Sequence, residues 1–142
     1  MNVKHTHGFT ILELMIALAI VGVVATIALS GVDVFNRHRM RVEASSLLRQ
    51  VAMNQISYRD RYGVYGTLSS LQSAGLASNS DYFDLQLDVP AVTAFRQYSL
   101  TLTARNPGYD ETCQVYRMVV DGGITSTTSQ DSSNADSTRR CL

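Results

Sequence analysis

The stretch GFTILELMIALAIVGVV, residues 8–24, decides how the chain is organised, because it joins a long apolar run to a single carboxylate, Glu13. The chain carries no further charge from Leu14 through Val32. As a helix rising 1.5 Å per residue, that segment covers roughly 28 Å, close to the thickness of the hydrocarbon core of a bilayer. A charged side chain costs about 2.5 to 3.5 kcal/mol at the bilayer centre, so Glu13 is a candidate functional residue.

The composition predicts no catalytic or cofactor chemistry for the rest of the 142-residue chain. Its formal charge of zero favours neither a nucleic-acid partner nor an acidic substrate. The three histidines do not form a constellation, no serine lies in a nucleophile elbow, and no glycine-rich phosphate loop is present. Asp131, Asn134 and Asp136 do not match the spacing of a calcium loop. We therefore expect no enzyme, no metal site and no cofactor.

The two cysteines, Cys113 and Cys141, lie far from any metal-ligand spacing, and the residues between them are loop-like. One disulfide in an oxidising compartment is the simplest interpretation, and two unrelated buried thiols are the alternative. A disulfide places the C-terminal part outside the cytoplasm. The cluster Arg37, Arg39 and Arg41 beside the apolar segment indicates the opposite side by the positive-inside rule, and we give the cysteines more weight.

Two processing schemes compete for the N-terminus. In the first, Lys4 begins an ordinary secretory signal that is cut after Ser30 in ALSG, which leaves a secreted or periplasmic binding protein. The apolar stretch is too long for such a signal, and Glu13 lies where its apolar core begins. The second scheme therefore receives more weight.

That second scheme is a resemblance carried by GFTILELMIALAIVGVVATIAL, residues 8–29. This segment resembles the N-terminus, with its class III prepilin leader, of the type IV pilin family, which includes the pseudopilins of type II secretion. The matching residues are Gly8, Phe9, Thr10 and Glu13. The resemblance implies that residues 1–8 are a leader and that prepilin peptidase cuts between Gly8 and Phe9 and methylates the new amino group of Phe9.

The resemblance gives Glu13 a partner. Cleavage before Phe9 creates an α-amino group with a reference pKa near 8, largely cationic at neutral pH. Pairing of Glu13 with the Phe9 amine of a neighbouring subunit would fix the axial register of one helix against the next, as polar residues do in coiled coils. The alternative is that Glu13 lies near the head-group level and needs no partner.

Apolar periodicity predicts one helix from Phe9 to Tyr58, in which residues 9–32 cross the membrane and residues 33–58 are amphipathic. Residues 59–142 form a globular head that begins with a loop over residues 59–80. In that loop Gly63 and Gly66 end the helix and Thr67 caps a short turn. The amphipathic stripe consists of Ala44, Leu47, Leu48, Val51, Ala52 and Ile56.

Alternation of apolar and polar residues predicts an antiparallel sheet over residues 82–128. The candidate strands are YFDLQLDV, YSLTLTA, QVYRMVVD and ITSTT, with the last two joined by a tight turn at Gly122 and Gly123. The fold class is therefore α+β, with the second half of the long helix packed on a sheet of about four strands. The polar tail belongs to a disulfide-bounded C-terminal loop over residues 113–141, which resembles that of type IV pilins.

The resemblance is strongest to PilE-type minor pilins and implies a pilus subunit in biogenesis, adhesion, twitching motility or DNA uptake. Its implied partners are other pilin subunits, prepilin peptidase, the inner-membrane assembly platform and the inner membrane, with a cytoplasmic N-terminus and a periplasmic head before the chain enters an extracellular pilus. A pseudopilin of type II secretion is the alternative. DNA is a weaker candidate partner, and the arginines that would contact it are Arg49, Arg59, Arg61, Arg139 and Arg140.

Overall fold

The computed structural model describes residues 10–76 and 79–142, with the side chains of residues 27–33 excepted. The long helix α1 covers Ile11–Tyr62 and the short helix α2 covers Leu68–Ser73. Four strands follow, β1 (Phe83–Asp88), β2 (Gln97–Ala104), β3 (Val115–Asp121) and β4 (Ile124–Gln130). A 3-10 turn, Pro107–Tyr109, separates β2 from β3, and a final turn of helix, α3, covers Thr138–Cys141. The chain divides into two compact units, Met1–Phe35 and Asn36–Leu142.

Helix α1 ends one turn beyond the predicted Tyr58. The segment Arg59–Tyr62 continues the helix, and Gly63 ends it with a positive φ of 78°. Such a left-handed residue is the usual helix stop, because glycine has no Cβ to clash there. Arg59 and Arg61 lie in the last turn, where cations interact favourably with the helix dipole.

The predicted α+β architecture is confirmed. The four strands form one antiparallel sheet in the order β1-β2-β3-β4. Alternate side chains of β2, from Tyr98 to Ala104, are buried, as the sequence pattern predicts. Strand β3 alternates just as regularly, with Tyr116, Met118 and Val120 buried. Gly122 and Gly123, with φ of 60° and 89°, make the two-residue turn into β4.

The core of the second unit lies between α1 and the sheet, and one predicted core residue is wrong. Ala44, Leu47, Leu48 and Val51 are buried with the inward side chains of the strands. Ile56, however, is 52% exposed. The polar residue before it, Gln55, is buried instead.

Gln55 is 0% exposed and holds the loop after α1 against the helix. Its Nε2 donates to the Gly66 carbonyl at 2.7 Å, and its Oε1 accepts from the Gly66 N–H at 2.8 Å. A Cβ at Gly66 would lie 2.9 Å from the Tyr58 ring, so glycine is needed for this close approach. Thr67 then caps α2 by accepting from the Ser70 N–H, as predicted. The result is a loop docked on the helix rather than a free surface loop.

Candidate functional site

The first candidate site is the start of α1. Thr10 precedes the helix, and its carbonyl and hydroxyl both accept from the Glu13 N–H, at 3.1 Å and 3.3 Å. Thr10 and Glu13 therefore occupy the N-cap and N3 positions of the capping pattern T-x-x-E. An anion in the first turn also interacts favourably with the helix dipole. Sequence reasoning did not assign Glu13 to the N-terminal cap of α1, although its T-x-x-E spacing from Thr10 is the signal of such a cap.

No side-chain partner of Glu13 is found in the part of the chain that the structure describes. The residue is exposed. The predicted cleavage residues Gly8 and Phe9 lie outside the described residues. The geometry at this end therefore consists of a capped helix that begins at Ile11 with an accessible carboxylate in its first turn.

The N-terminal part of α1 exposes apolar side chains on every face. All of the large apolar side chains among residues 11–24 are more than half exposed. A helix that is apolar all round is stable only when something covers it. Over the residues that the structure describes, none of the helices has the combined length and hydropathy of a membrane span.

The second candidate site is the attachment of the C-terminal segment to the head. Cys113 and Cys141 form a disulfide with a Cα–Cα distance of 5.7 Å, which confirms the predicted pairing. Both cysteines are buried in the core cluster. The polar C-terminal residues are thereby tied to the start of β3 and do not depend on apolar burial of their own.

An ion pair with a buried carboxylate, which sequence reasoning missed, reinforces this attachment. The Arg41 guanidinium makes a two-point contact with the Asp110 carboxylate, at 2.7 Å and 3.2 Å, and also donates to the Arg140 carbonyl at 3.0 Å. The Asp110 side chain is almost fully buried. The hydrogen bond to Asp110 raises the pKa of Arg41 above its ordinary value. The residues are 69 positions apart, so no local pattern predicts their contact.

The arginine cluster after the apolar segment belongs in part to the head. Arg41 binds Asp110, and the Arg39 guanidinium lies over the Tyr82 ring at 5.4 Å from its centroid. These contacts give the cluster a structural role. The conflict between the positive-inside rule and the disulfide is therefore weaker than the sequence indicates.

The five arginines named as DNA candidates are exposed but occupy different places. Arg59 bonds the Tyr65 hydroxyl at 3.2 Å and lies over its ring. Arg61 is in the same last turn of α1, and Arg139 and Arg140 are adjacent in α3. Arg49 lines a hollow between α1 and β4. Arg59 and Arg61 therefore lie in one element and Arg139 and Arg140 in another. Arg59 already has a partner within the chain.

The acidic loop before α3 is held by its own hydrogen bonds. The Asp131 carboxylate accepts from Ser133 and from the Ala135 N–H, and these bonds lower its pKa. The Asp136 carboxylate accepts from Thr138 in the same way, with the same direction of pKa shift. Among the described residues, no group of three or more acidic, histidine or cysteine side chains is placed to hold a metal ion.

Comparison with protein families matches residues 3–29 to the prokaryotic N-terminal methylation motif. The match covers Gly8, Phe9, Thr10 and Glu13 and the apolar run behind them. Neither the curated proteins nor the solved structures yield a match.

Proposed function

We propose that this chain, which its N-terminal methylation motif marks as a precursor of the type IV pilin and pseudopilin family, is a minor pilin of a type IV pilus. The observation that carries the proposal is the methylation motif, which runs into the part of α1, residues 11–24, whose large apolar side chains have no cover within the described residues. The head behind it is an α+β unit with a disulfide-bounded C-terminal segment. Such a chain polymerises through its helix and is not an enzyme.

Processing comes first in the proposed sequence of events. Prepilin peptidase removes residues 1–8 between Gly8 and Phe9 and methylates the amino group of Phe9. Residues 9–32 hold the subunit in the inner membrane with the N-terminus in the cytoplasm and the head in the periplasm. The disulfide supports a periplasmic head, because disulfides persist in oxidising compartments.

During assembly, the helices of neighbouring subunits replace the lipid around the apolar half of α1. On leaving the membrane, the apolar half of α1 packs against other pilin subunits at the assembly platform. The accessible Glu13 carboxylate pairs with the Phe9 amine of a neighbour and sets the register. Loss of one member of a desolvated ion pair typically costs about 3 to 5 kcal/mol, so an unpaired Glu13 is strongly disfavoured inside a packed bundle. Adhesion, twitching motility or DNA uptake would be activities of the pilus.

A charge-selective pair of variants tests the assembly step. Glu13→Gln removes the charge but keeps a side chain suited to the capping pattern, whereas Thr10→Ala removes the cap hydroxyl and keeps the charge. We expect Glu13→Gln to lower the amount of subunit in sheared pili by about tenfold or more. Thr10→Ala should leave it within about twofold, because a cap contributes only about 1 kcal/mol to a helix that its surroundings also hold.

Two outcomes would contradict parts of this account. Normal incorporation of Glu13→Gln would mean that the carboxylate only lies at the head-group level. Absence of the parent subunit from sheared pili, together with its presence in a type II secretion complex, would identify a pseudopilin.

A further inference from the structure

Strand β4 is one of the two outer strands of the sheet, and one of its edges is largely unpaired. The two-residue turn makes Asp121 and Ile124 the first pair of the β3–β4 ladder. In an antiparallel hairpin the main-chain groups of alternate residues then face β3, and those of Thr125, Thr127 and Ser129 face away from it. The Ser129 groups do point outward, because its carbonyl accepts from the Ser137 N–H at 2.9 Å.

The C-terminal segment begins a fifth strand but covers only the end of this edge. It forms one antiparallel bridge, Gln130 with Asp136, and the Ser129 N–H donates to the Thr138 hydroxyl. Helix α3 then turns the chain away. Within the described residues, nothing bonds the outward main-chain groups of Thr125 and Thr127. The segment ITSTT, residues 124–128, contains no charge and no proline, which are usual protections of an edge strand.

A hollow of about 480 Å³ lies directly inside this edge. Thr125 and Thr127 are short side chains on the inward face of β4, so they do not fill the space between the strand and α1. The inward side chains of an added strand would enter this hollow, because side chains alternate between the faces of a sheet. Apolar residues that line it are Leu48, Ala52, Met118 and Leu142.

The charge at the hollow indicates which kind of segment would bind there as an added strand. Arg49 is the only lining residue with a charged side chain, and its guanidinium has no ion pair among the described residues. A carboxylate on the incoming chain would complement it. A second copy of this chain pairing through its own β4 would instead bring a second Arg49 to the hollow and no side-chain carboxylate from its lining.

We propose that the β4 edge binds an extended segment of another protein as an added antiparallel strand. Main-chain hydrogen bonds to Thr125 and Thr127 give the affinity, and alternate apolar side chains fill the hollow. A carboxylate on the segment contacts Arg49. This surface is independent of the proposed assembly through Glu13.

The first test uses a fluorescent peptide, VTVTVTD, whose valines and aspartate share one face of a strand, and the full chain in non-ionic detergent micelles, with empty micelles as the blank. Fluorescence anisotropy should show saturable binding. Arg49→Ala should weaken it about fivefold, which corresponds to about 1 kcal/mol for an exposed ion pair. Arg61→Ala is the matched control, because Arg61 is exposed but does not line the hollow, and it should leave binding unchanged.

The second test asks whether the peptide binds as a strand. In antiparallel pairing the residues whose side chains face inward also direct their N–H groups toward β4. N-methylation of the three valines should therefore abolish binding, and N-methylation of the three threonines should leave it within about twofold. Loss with the threonine set alone would indicate a parallel strand and would contradict the antiparallel assignment.

Several results would overturn the proposal. These are no binding to the parent chain, equal loss with both N-methylated peptides, loss with neither, or no difference between Arg49→Ala and Arg61→Ala. Self-association of the chain that the peptide reverses, measured by sedimentation, would identify a second copy as the occupant and would also overturn it. Failure of the pilin proposal would leave peptide binding unchanged, because every residue of this surface lies in Asn36–Leu142.

Discussion

The two parts of α1 have the same backbone conformation and opposite surroundings. Among residues 11–24 the large apolar side chains are more than half exposed. In the second unit, α1 buries Met40, Ala44, Leu47, Leu48 and Val51 against the sheet and keeps charged residues on its other faces.

The difference teaches that helix formation alone does not assign a role to a segment. The second part is stabilised by tertiary packing of one stripe, as most helices in globular proteins are. The first part has a cap and an apolar surface, and that surface is exposed among the described residues. Substitutions in the two parts should therefore have different consequences.

The disulfide should make the largest single contribution to the head. Its cysteines are 28 residues apart, and closure of such a loop stabilises by about 3.5 kcal/mol in the chain-entropy model. The double variant Cys113→Ser, Cys141→Ser should lose about that much free energy of unfolding in urea titrations. Reduction of the parent chain should reproduce the loss and leave the variant unchanged. An equal effect of reduction on both proteins would contradict the assignment.

A matched pair of leucines tests the comparison itself. Leu47 is 5% exposed and Leu18 is 64% exposed. Leu47→Ala should lower the free energy of unfolding of the head by about 3 kcal/mol, because it removes buried methyl groups and leaves a cavity. Leu18→Ala should change it by less than about 0.5 kcal/mol in the same detergent. Equal effects would show that both parts of α1 are covered within the chain.

Gln55 tests whether the loop after α1 depends on its two hydrogen bonds. Gln55→Ala leaves the buried N–H and C=O of Gly66 without partners and should cost about 2 kcal/mol. The adjacent Ile56→Ala should cost less than about 1 kcal/mol, since Ile56 is half exposed. A larger loss of stability for Ile56→Ala than for Gln55→Ala would instead support the apolar stripe predicted from the sequence, which includes Ile56.

Substitution of Tyr116 should have the smallest effect on the stability of the head at neutral pH. Its hydroxyl is buried and has no partner among the described residues, so Tyr116→Phe should be neutral or stabilise the head by about 1 kcal/mol. Burial, followed by the charge of Asp110, raises the pKa of Tyr116 to about 12. An unfolded tyrosine ionises near pH 10, so the stability held by the neutral phenol is complete below pH 10 and is lost as the pH rises to about 12.

The same variant should therefore lose less stability between pH 10 and pH 12 than the parent chain, by on the order of 2 kcal/mol. Tyr98, whose pKa burial also raises to about 12, remains in both proteins and accounts for the loss that is left. Parallel pH profiles would contradict a shifted pKa at Tyr116.

The sheet was predictable because alternation reports directly which side chains face the core. Tyr98, Leu100 and Leu102 are buried where the pattern of β2 places them. The stripe of α1 was predictable up to Val51 but not at Ile56, because periodicity reports hydrophobicity and the structure selects Gln55 for its hydrogen bonds to Gly66. A buried amide with two main-chain partners has no apolar signal in the sequence.

The attachment of the C-terminal segment was half predictable. Two cysteines far from any metal-ligand spacing favoured a disulfide over two buried thiols, and the structure contains that disulfide. The contact between Arg41 and Asp110 did not follow, because either charge in isolation is typical of a solvated surface. The cap that the Thr10 hydroxyl places on the Glu13 N–H could also be predicted, because the T-x-x-E spacing is its signal in the sequence.

The central claim is that the apolar part of α1 is a processed assembly element rather than a secretory signal. Intact mass and N-terminal sequencing of the membrane-extracted mature chain test it most directly. We predict a chain that begins at Phe9 and carries one methyl group on its amine. A chain that begins at Gly31 would contradict the claim.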